Sequence, residues 1–242
     1  SDEHWDRFYA SAQELDMPLN LHGGSGRIAA GGPMMFPRAG RQGNFCLSSL
    51  GLLIGAAQSI VEWCYTGTFE RFPDLKVGQI ESGIGYIPAI LEGMDWQWIE
   101  NFVWKERPGD HLPSELFHRN MMACFWFERI GPSKLVEEIG EDNILFETDF
   151  PHPTSVFPES RVRQQYTECF GDQPDRVRRK ILFENAAKLY KMDLPKNWQA
   201  PDPNGDSFHL TPMFTREESI EQFGKQGAPK EKLAEDYFQR WG

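Results

Sequence analysis

The sequence has 242 residues, of which 40% are hydrophobic and 25% are charged, as expected for a globular chain with a sizeable core. Its net charge of −11 argues against nucleic-acid binding, which needs clustered Lys and Arg to neutralise phosphates. We find no run of about 18 apolar residues that would predict a membrane span, and the polar start is not a signal peptide. The four cysteines form no CxxC pair, so we expect reduced thiols in a cytoplasmic protein.

Hydrophobic periodicity predicts a repeated order of strand and helix along the chain. The predicted strands are MPLNLH at 17–22, then 75–80, 121–127 and 143–150. The predicted helices are 2–16, 47–64, 86–104, 114–120, 133–140, 159–170, 174–191 and 229–240. The Gly-, Pro- and Arg-rich stretch 23–45 is predicted to be a long functional loop.

Strands that alternate with helices indicate an α/β fold with a parallel sheet, because parallel neighbours need crossover connections. Four such units are half of a (β/α)8 barrel, but they could also form a small doubly wound sheet. Periodicity alone leaves both architectures open.

Polar side chains stand where three of the predicted strands end. The first strand ends at His22, the second at Glu81, and the fourth at Asp149, with His152 close behind. In both architectures, ligands bind at the C-terminal ends of the strands. Imidazole nitrogen and carboxylate oxygen are ligands of divalent ions, zinc included. The combination therefore predicts a metal site, although each residue alone would more often be a packing or turn-forming residue.

Two other enzyme classes lack their motifs in this chain. There is no G-x-S-x-G nucleophile motif and no G-x-x-x-x-G-K-[ST] phosphate loop. Gly83 and Gly85 follow a predicted strand, but Pro88 replaces the third glycine of a dinucleotide-binding motif.

Four phrases, in chain order, resemble motifs of the amidohydrolase-related family of metal-dependent hydrolases and decarboxylases. They are MPLNLHGGSG, FERFPDLKVGQIESGIGYIP, NILFETDFPH and ILFENAAKLYKM. They resemble, in turn, a fifth-strand P-V-x-x-H, the stretch G-x-F-x-R-F-P-D-L-K before the sixth strand, an eighth-strand D-x-x-x-x-G-T-D-F-P-H, and a closing helix I-x-x-x-N-A-x-x-L-Y. The resemblance implies a (β/α)8 TIM barrel in which residues 1–194 supply strands five to eight. Residues 195–242 would then be an extension that packs on the barrel or on a partner subunit.

The resemblance also implies roles for two of the strand-end residues. His22 matches a metal ligand, and Asp149 matches a residue that is both a ligand and the acid/base group. The implied cofactor is a divalent metal ion, with zinc expected. The family's His-x-His pair on strand one is missing from this sequence. A half barrel would leave a strand edge open, so we expect a truncated chain or a barrel that another chain completes. We also expect a homo-oligomer, and a non-catalytic barrel remnant that acts as an interaction subunit is an alternative.

Glu81 departs from the decarboxylase pattern, which has His-x-Gly-Gly on strand six. A glutamate there adds negative charge facing a carboxylate substrate. We therefore predict hydrolysis by a metal-activated water, with Glu81 and Asp149 as the catalytic pair. Non-oxidative decarboxylation is the alternative.

The predicted substrate is a small carboxylated or cyclic molecule. Arg27, Arg38 and Arg41 in the long loop could hold a carboxylate through paired hydrogen bonds. His152 is the fourth residue predicted to bind substrate. The same arginines could instead belong to a solvated loop.

Overall fold

Four short strands form one parallel sheet in the order β1-β2-β3-β4 in a computed structural model that describes residues 3–23, 36–107, 109–152, 155–156, 162, 169–170 and 173–193. The strands are β1 Leu19–His22, β2 Val77–Ile80, β3 Met121–Phe125 and β4 Ile144–Phe146. Each strand pairs in parallel with the next one along the chain. The predicted α/β fold with a parallel sheet is confirmed, and the four C-terminal strand ends lie at one edge.

Helices connect these strands and cover the sheet. They are α1 Asp6–Glu14, α2 Gly40–Tyr65, α3 Thr68–Arg71, α4 Ile87–Glu100, α5 Val103–Glu106, α6 Pro113–Asn120, α7 Ile130–Lys134, α8 Val136–Ile139, α9 Asp175–Arg179 and α10 Asn185–Leu189. A π-helical turn, Lys180–Glu184, joins α9 to α10, and short 3-10 turns lie at Glu3–Trp5 and Pro37–Ala39.

The main core lies between the sheet and the helices. Strand side chains alternate between the two faces, so Val77, Met121 and Ile144 point to the same side and are fully buried there. On the opposite face Cys124 and Leu145 form a smaller cluster with Leu189 from α10. Both faces of the sheet are thus partly covered.

Helix α2 begins at Gly40 and not at residue 47, where the apolar periodicity begins. The buried side chain of Asn44 explains the earlier start. Its Oδ1 accepts the Phe36 backbone N–H at 2.7 Å, and its Nδ2 donates to the carbonyls of Phe36 and Gly40 at 2.9 and 2.7 Å. These bonds hold a first turn that carries no hydrophobic pattern.

The stretch Pro37–Tyr65 is long and apolar enough, by length and composition alone, to cross a membrane. Its second half packs on the sheet, where Ala56, Ile60 and Cys64 are fully buried. Packing in a protein core accounts for the apolar character of that half. The expected absence of a membrane span stays a prediction.

Some predicted segments lie outside the described residues. These are the extension 195–242 with its helix at 229–240, most of the helix 159–170, and residues 24–35 of the long loop. The division of the chain at residue 194 therefore stays a prediction.

Three buried asparagines stabilise the N-terminal edge of the sheet. Each donates two side-chain hydrogen bonds to backbone carbonyls that precede or begin a strand. The bonds run from Asn120 to Pro73 and Leu75, from Asn143 to His118 and Met121, and from Asn185 to Glu141 and Ile144. The strand starts are thus fixed from the edge opposite to the one that collects the polar strand ends.

We predict that Asn143→Ala lowers the free energy of unfolding by about 2–6 kcal/mol, because two carbonyls lose their donor and each unsatisfied buried group costs about 1–3 kcal/mol. Urea denaturation measures the change. The control is Asn101→Ala, because Asn101 is exposed and its side chain bonds only within its own helix end, to Gln97. That control should change stability by less than about 0.5 kcal/mol. Equal effects of the two substitutions would contradict the structural role of Asn143.

Candidate metal centre

The C-terminal edge of the sheet brings the polar strand ends together. His22 is the last residue of β1 and pairs with Ile80, the last residue of β2, so Glu81 follows directly beside His22. Strand β4 ends at Phe146, and residues 147–152 continue past the same edge. Three predicted site residues, His22, Glu81 and Asp149, therefore lie on neighbouring turns.

Glu81 occupies the centre of this group. Its side chain is 11% exposed, and its two oxygens face different histidines. Oε2 lies 2.9 Å from Nε2 of His22, whose side chain is 76% exposed. Oε1 lies 3.7 Å from Nδ1 of His152. The Glu81 carboxylate thus connects the end of β1 with the turn that follows β4.

Asp149 and His152 form the other half of the group. Nδ1 of His152 lies 3.1 Å from Oδ2 of Asp149, and the His152 backbone N–H donates to the Asp149 carbonyl at 2.8 Å. The turn holds both side chains on one side. Asp149 has a φ of 55° and Glu81 has a φ of 53°, a left-handed conformation that non-glycine residues rarely adopt. Such backbone conformations cluster at functional sites.

The donor atoms of Glu81, Asp149 and His152 are suited to a divalent ion. One ligand atom from each lies within 4.8 Å of the other two. Neighbouring ligands at about 2.0–2.2 Å from a shared ion stand about 2.8–3.6 Å apart in octahedral or tetrahedral geometry. The separations of 3.1 and 3.7 Å from His152 come close to that range. Two carboxylates and an imidazole are also an appropriate ligand set for zinc or manganese.

Two further acids belong to this edge and were missed from sequence. Oε1 of Glu147 accepts the backbone N–H of Glu81 at 2.9 Å. Burial raises the pKa of Glu147 to about 7, the charges of Asp149 and Glu81 add to the rise, and the Glu81 N–H opposes it. The alternation of side chains along the predicted strand 143–150 could have indicated Glu147, because residue 147 falls on the same face as Leu145.

Glu128 is the second of these acids and follows the end of β3. Its Oε2 and Oε1 accept the backbone N–H groups of Ile84 and Gly85, each at 2.7 Å. Burial raises the pKa of Glu128, and the two backbone bonds oppose that rise. Glu128 therefore fixes the far end of the loop that begins at Glu81. Its only sequence signal was its position just after a strand.

Of the three arginines predicted to bind substrate, the structure describes two. Arg27 lies outside the described residues. Arg38 lies in the turn Pro37–Ala39 and Arg41 in the first turn of α2, and both are exposed. Within the described part of the chain, neither forms an ion pair. Their role in substrate binding stays a prediction.

The fold is similar to solved structures that share little sequence with this chain. A 5-carboxyvanillate decarboxylase from Sphingomonas paucimobilis is 19% identical with a TM-score of 0.56, over 78% of this chain and 54% of that one. A dihydroxybenzoic acid decarboxylase from Polaromonas sp. JS666, with bound manganese and 2-nitroresorcinol, is 20% identical with a TM-score of 0.55, over 81% and 56%. An amidohydrolase from Mycobacterium avium subsp. paratuberculosis K-10 is 22% identical with a TM-score of 0.57, over 78% and 46%.

The chain thus spans about half the length of these structures. Comparison with curated proteins gives no match. The family model described as amidohydrolase, however, matches residues 1–192, which include every strand and every helix described above. The chain therefore belongs to the amidohydrolase family.

Proposed function

We propose that this chain supplies strands five to eight of a (β/α)8 barrel and carries part of the active site of a metal-dependent hydrolase. Four consecutive parallel strands and the family membership support this architecture. The clustering of Glu81, Asp149 and His152 at the C-terminal edge supports the site, because barrel enzymes carry their active sites there.

In this proposal Glu81, Asp149 and His152 hold a divalent ion. His22, predicted as a ligand, contacts this group through the second oxygen of Glu81, at 2.9 Å, and is not among the described residues whose ligand atoms all lie within 4.8 Å of one another. A bound ion would polarise the substrate carbonyl and lower the pKa of a water to about 7. Zinc remains the expected ion, and the manganese in the Polaromonas decarboxylase makes manganese the second ion to test.

One observation carries the choice of hydrolysis: a carboxylate, Glu81, stands between two imidazoles. Hydrolysis needs a group that takes a proton from the attacking water. Glu81 is placed for this role, and its Oε2 is hydrogen-bonded to His22, which is largely exposed. A proton taken up by Glu81 can therefore pass through His22 to solvent. Asp149 beside His152 is the second acid/base group.

Decarboxylation is the second candidate, and the fold similarity to decarboxylases supports it about as well. It requires a group that delivers a proton to carbon, a task that the imidazoles of His22 or His152 can perform.

The proposed substrate is a small molecule in both cases. Arg38 and Arg41, both exposed, and Arg27 remain candidates for holding its carboxylate. We further propose a cytoplasmic homo-oligomer.

We predict that His152→Ala weakens binding of Zn²⁺ and Mn²⁺ by about 100-fold or more. Loss of a residue that merely orients a ligand already costs 10–100-fold, so loss of a direct ligand should cost at least as much. Isothermal titration of chelator-treated protein with each ion measures the affinity. His111→Ala removes an exposed histidine and should bind both ions like the wild type. Unchanged affinity in His152→Ala would remove His152 from the site.

We predict that Glu81→Gln lowers turnover per bound ion by about 10²–10⁴, the usual contribution of a positioned acid or base. The assay follows hydrolysis of dihydrocoumarin, a cyclic aryl ester, and metal content is measured in the same sample. Glu92→Gln, at an exposed position of α4, is the matched control and should keep full turnover. Near-normal turnover in Glu81→Gln would exclude Glu81 as the base.

The same proteins decide between hydrolysis and decarboxylation. Wild-type protein should release no CO₂ from 5-carboxyvanillate or 2,6-dihydroxybenzoate. Release of CO₂ without ester hydrolysis would contradict the hydrolase proposal. Decarboxylation gained in Glu81→His would indicate a decarboxylase site that this chain has modified.

A further inference from the structure

Glu147 makes an unusual contact across the C-terminal edge of the sheet. It follows β4, whereas Glu81 follows β2, and β3 lies between these two strands. Oε1 of Glu147 nevertheless accepts the Glu81 backbone N–H at 2.9 Å. Burial raises the pKa of the Cys124 thiol on β3, the Glu147 charge adds to that rise, and the Glu81 N–H opposes it. The contact therefore links the turn after β4 to the turn after β2.

Glu81 needs such a contact because its backbone leaves the regular strand. The ladder between β2 and β3 ends at the pair Gln79 and Ala123, so no strand carbonyl is paired with the Glu81 N–H. A buried N–H without an acceptor is costly, as is a left-handed conformation in a residue that carries a side chain. Glu147 supplies the missing acceptor at the residue whose φ is 53°.

Both partners stand where the compared family motifs have another residue. Glu81 replaces the histidine of His-x-Gly-Gly, and Glu147 replaces the glycine of G-T-D. A glycine has no side chain that could accept the N–H of residue 81. The two departures from the motifs thus meet in a single hydrogen bond.

We propose that Glu147 is a positioning residue, which acts by holding Glu81 in the orientation that directs one carboxylate oxygen to His152 and the other to His22. This inference rests on the proposed metal-dependent function. Glu147 acts through the backbone of Glu81, whose N–H its Oε1 accepts at 2.9 Å. Its counterpart is Glu128, which fixes the same loop farther along, at Ile84 and Gly85.

The test compares Glu147→Gln with Glu147→Leu and Glu147→Gly. Gln keeps an oxygen that accepts the Glu81 N–H, whereas Leu and Gly remove that acceptor. Two variants without the acceptor are used in case one of them fails to fold. Glu137→Leu, at an exposed position of α8, is the control. Two quantities are measured in each variant: the exchange rate and chemical shift of the Glu81 amide by NMR without metal, and the Mn²⁺ affinity by titration.

We expect Glu147→Leu and Glu147→Gly to speed Glu81 amide exchange by about 10-fold or more and to weaken Mn²⁺ binding by about 10–100-fold. Glu147→Gln and Glu137→Leu should stay within about 3-fold of the wild type in both measurements. An unchanged Glu81 amide in Glu147→Leu and Glu147→Gly would overturn the inference. Faster exchange with unchanged Mn²⁺ affinity would also overturn it, because Glu147 would then be merely structural.

The proposed function fails separately. If wild-type protein binds neither Mn²⁺ nor Zn²⁺, the metal site is wrong, and the Glu147 positioning of that site is overturned with it. If the wild type binds metal, and Glu147→Leu and Glu147→Gly match the Glu137→Leu control in both measurements, the metal site stands and the role of Glu147 is wrong.

Discussion

Parallel pairing of neighbouring strands imposes one direction on the whole sheet, and the rest of the structure depends on that constraint. Because β1 to β4 run the same way in sequential order, every strand starts at one edge and ends at the other. The starts meet the side chains of Asn120, Asn143 and Asn185, which bond to carbonyls there. Beyond the strand ends, the chain forms turns that carry Glu81, Asp149 and His152. Topology alone thus places the stabilising asparagines and the candidate metal ligands at opposite edges of the sheet.

The order of strands and helices, and the edge that carries the candidate site, could be predicted from sequence, because hydrophobic periodicity shows which side of an element is buried. His22, Glu81 and Asp149 could be selected because each stands at a predicted strand end. The contacts of Glu147 and Glu128 could not, since they depend on which strands are neighbours and on turns that break the strand alternation. The start of α2 at Gly40 was hidden for a related reason: Asn44 holds it through hydrogen bonds, and these leave no trace in an apolar pattern.

Negative charge is concentrated at the C-terminal edge. Glu81, Glu147 and Asp149 lie close enough that the charges of the other two raise the pKa of Glu147, on top of the larger effect of burial. Like charges brought together in a partly buried place destabilise each other unless a cation or a proton compensates. His22 and His152 can each supply a proton, and a divalent ion would supply two charges at once. The electrostatics of the edge therefore agree with the geometry of its ligand atoms.

The buried asparagines affect which substitutions this fold can tolerate. Substitutions at sites without shared partners have nearly additive effects on stability when they lie more than about 7–10 Å apart. In the described part of the chain, the side chains of Asn120, Asn143 and Asn185 donate to backbone carbonyls at the strand starts and not to Glu81, Asp149 or His152. Substitutions at the C-terminal edge are therefore expected to leave the hydrogen bonds of the N-terminal edge in place, so that the candidate site can change while the strand starts stay anchored.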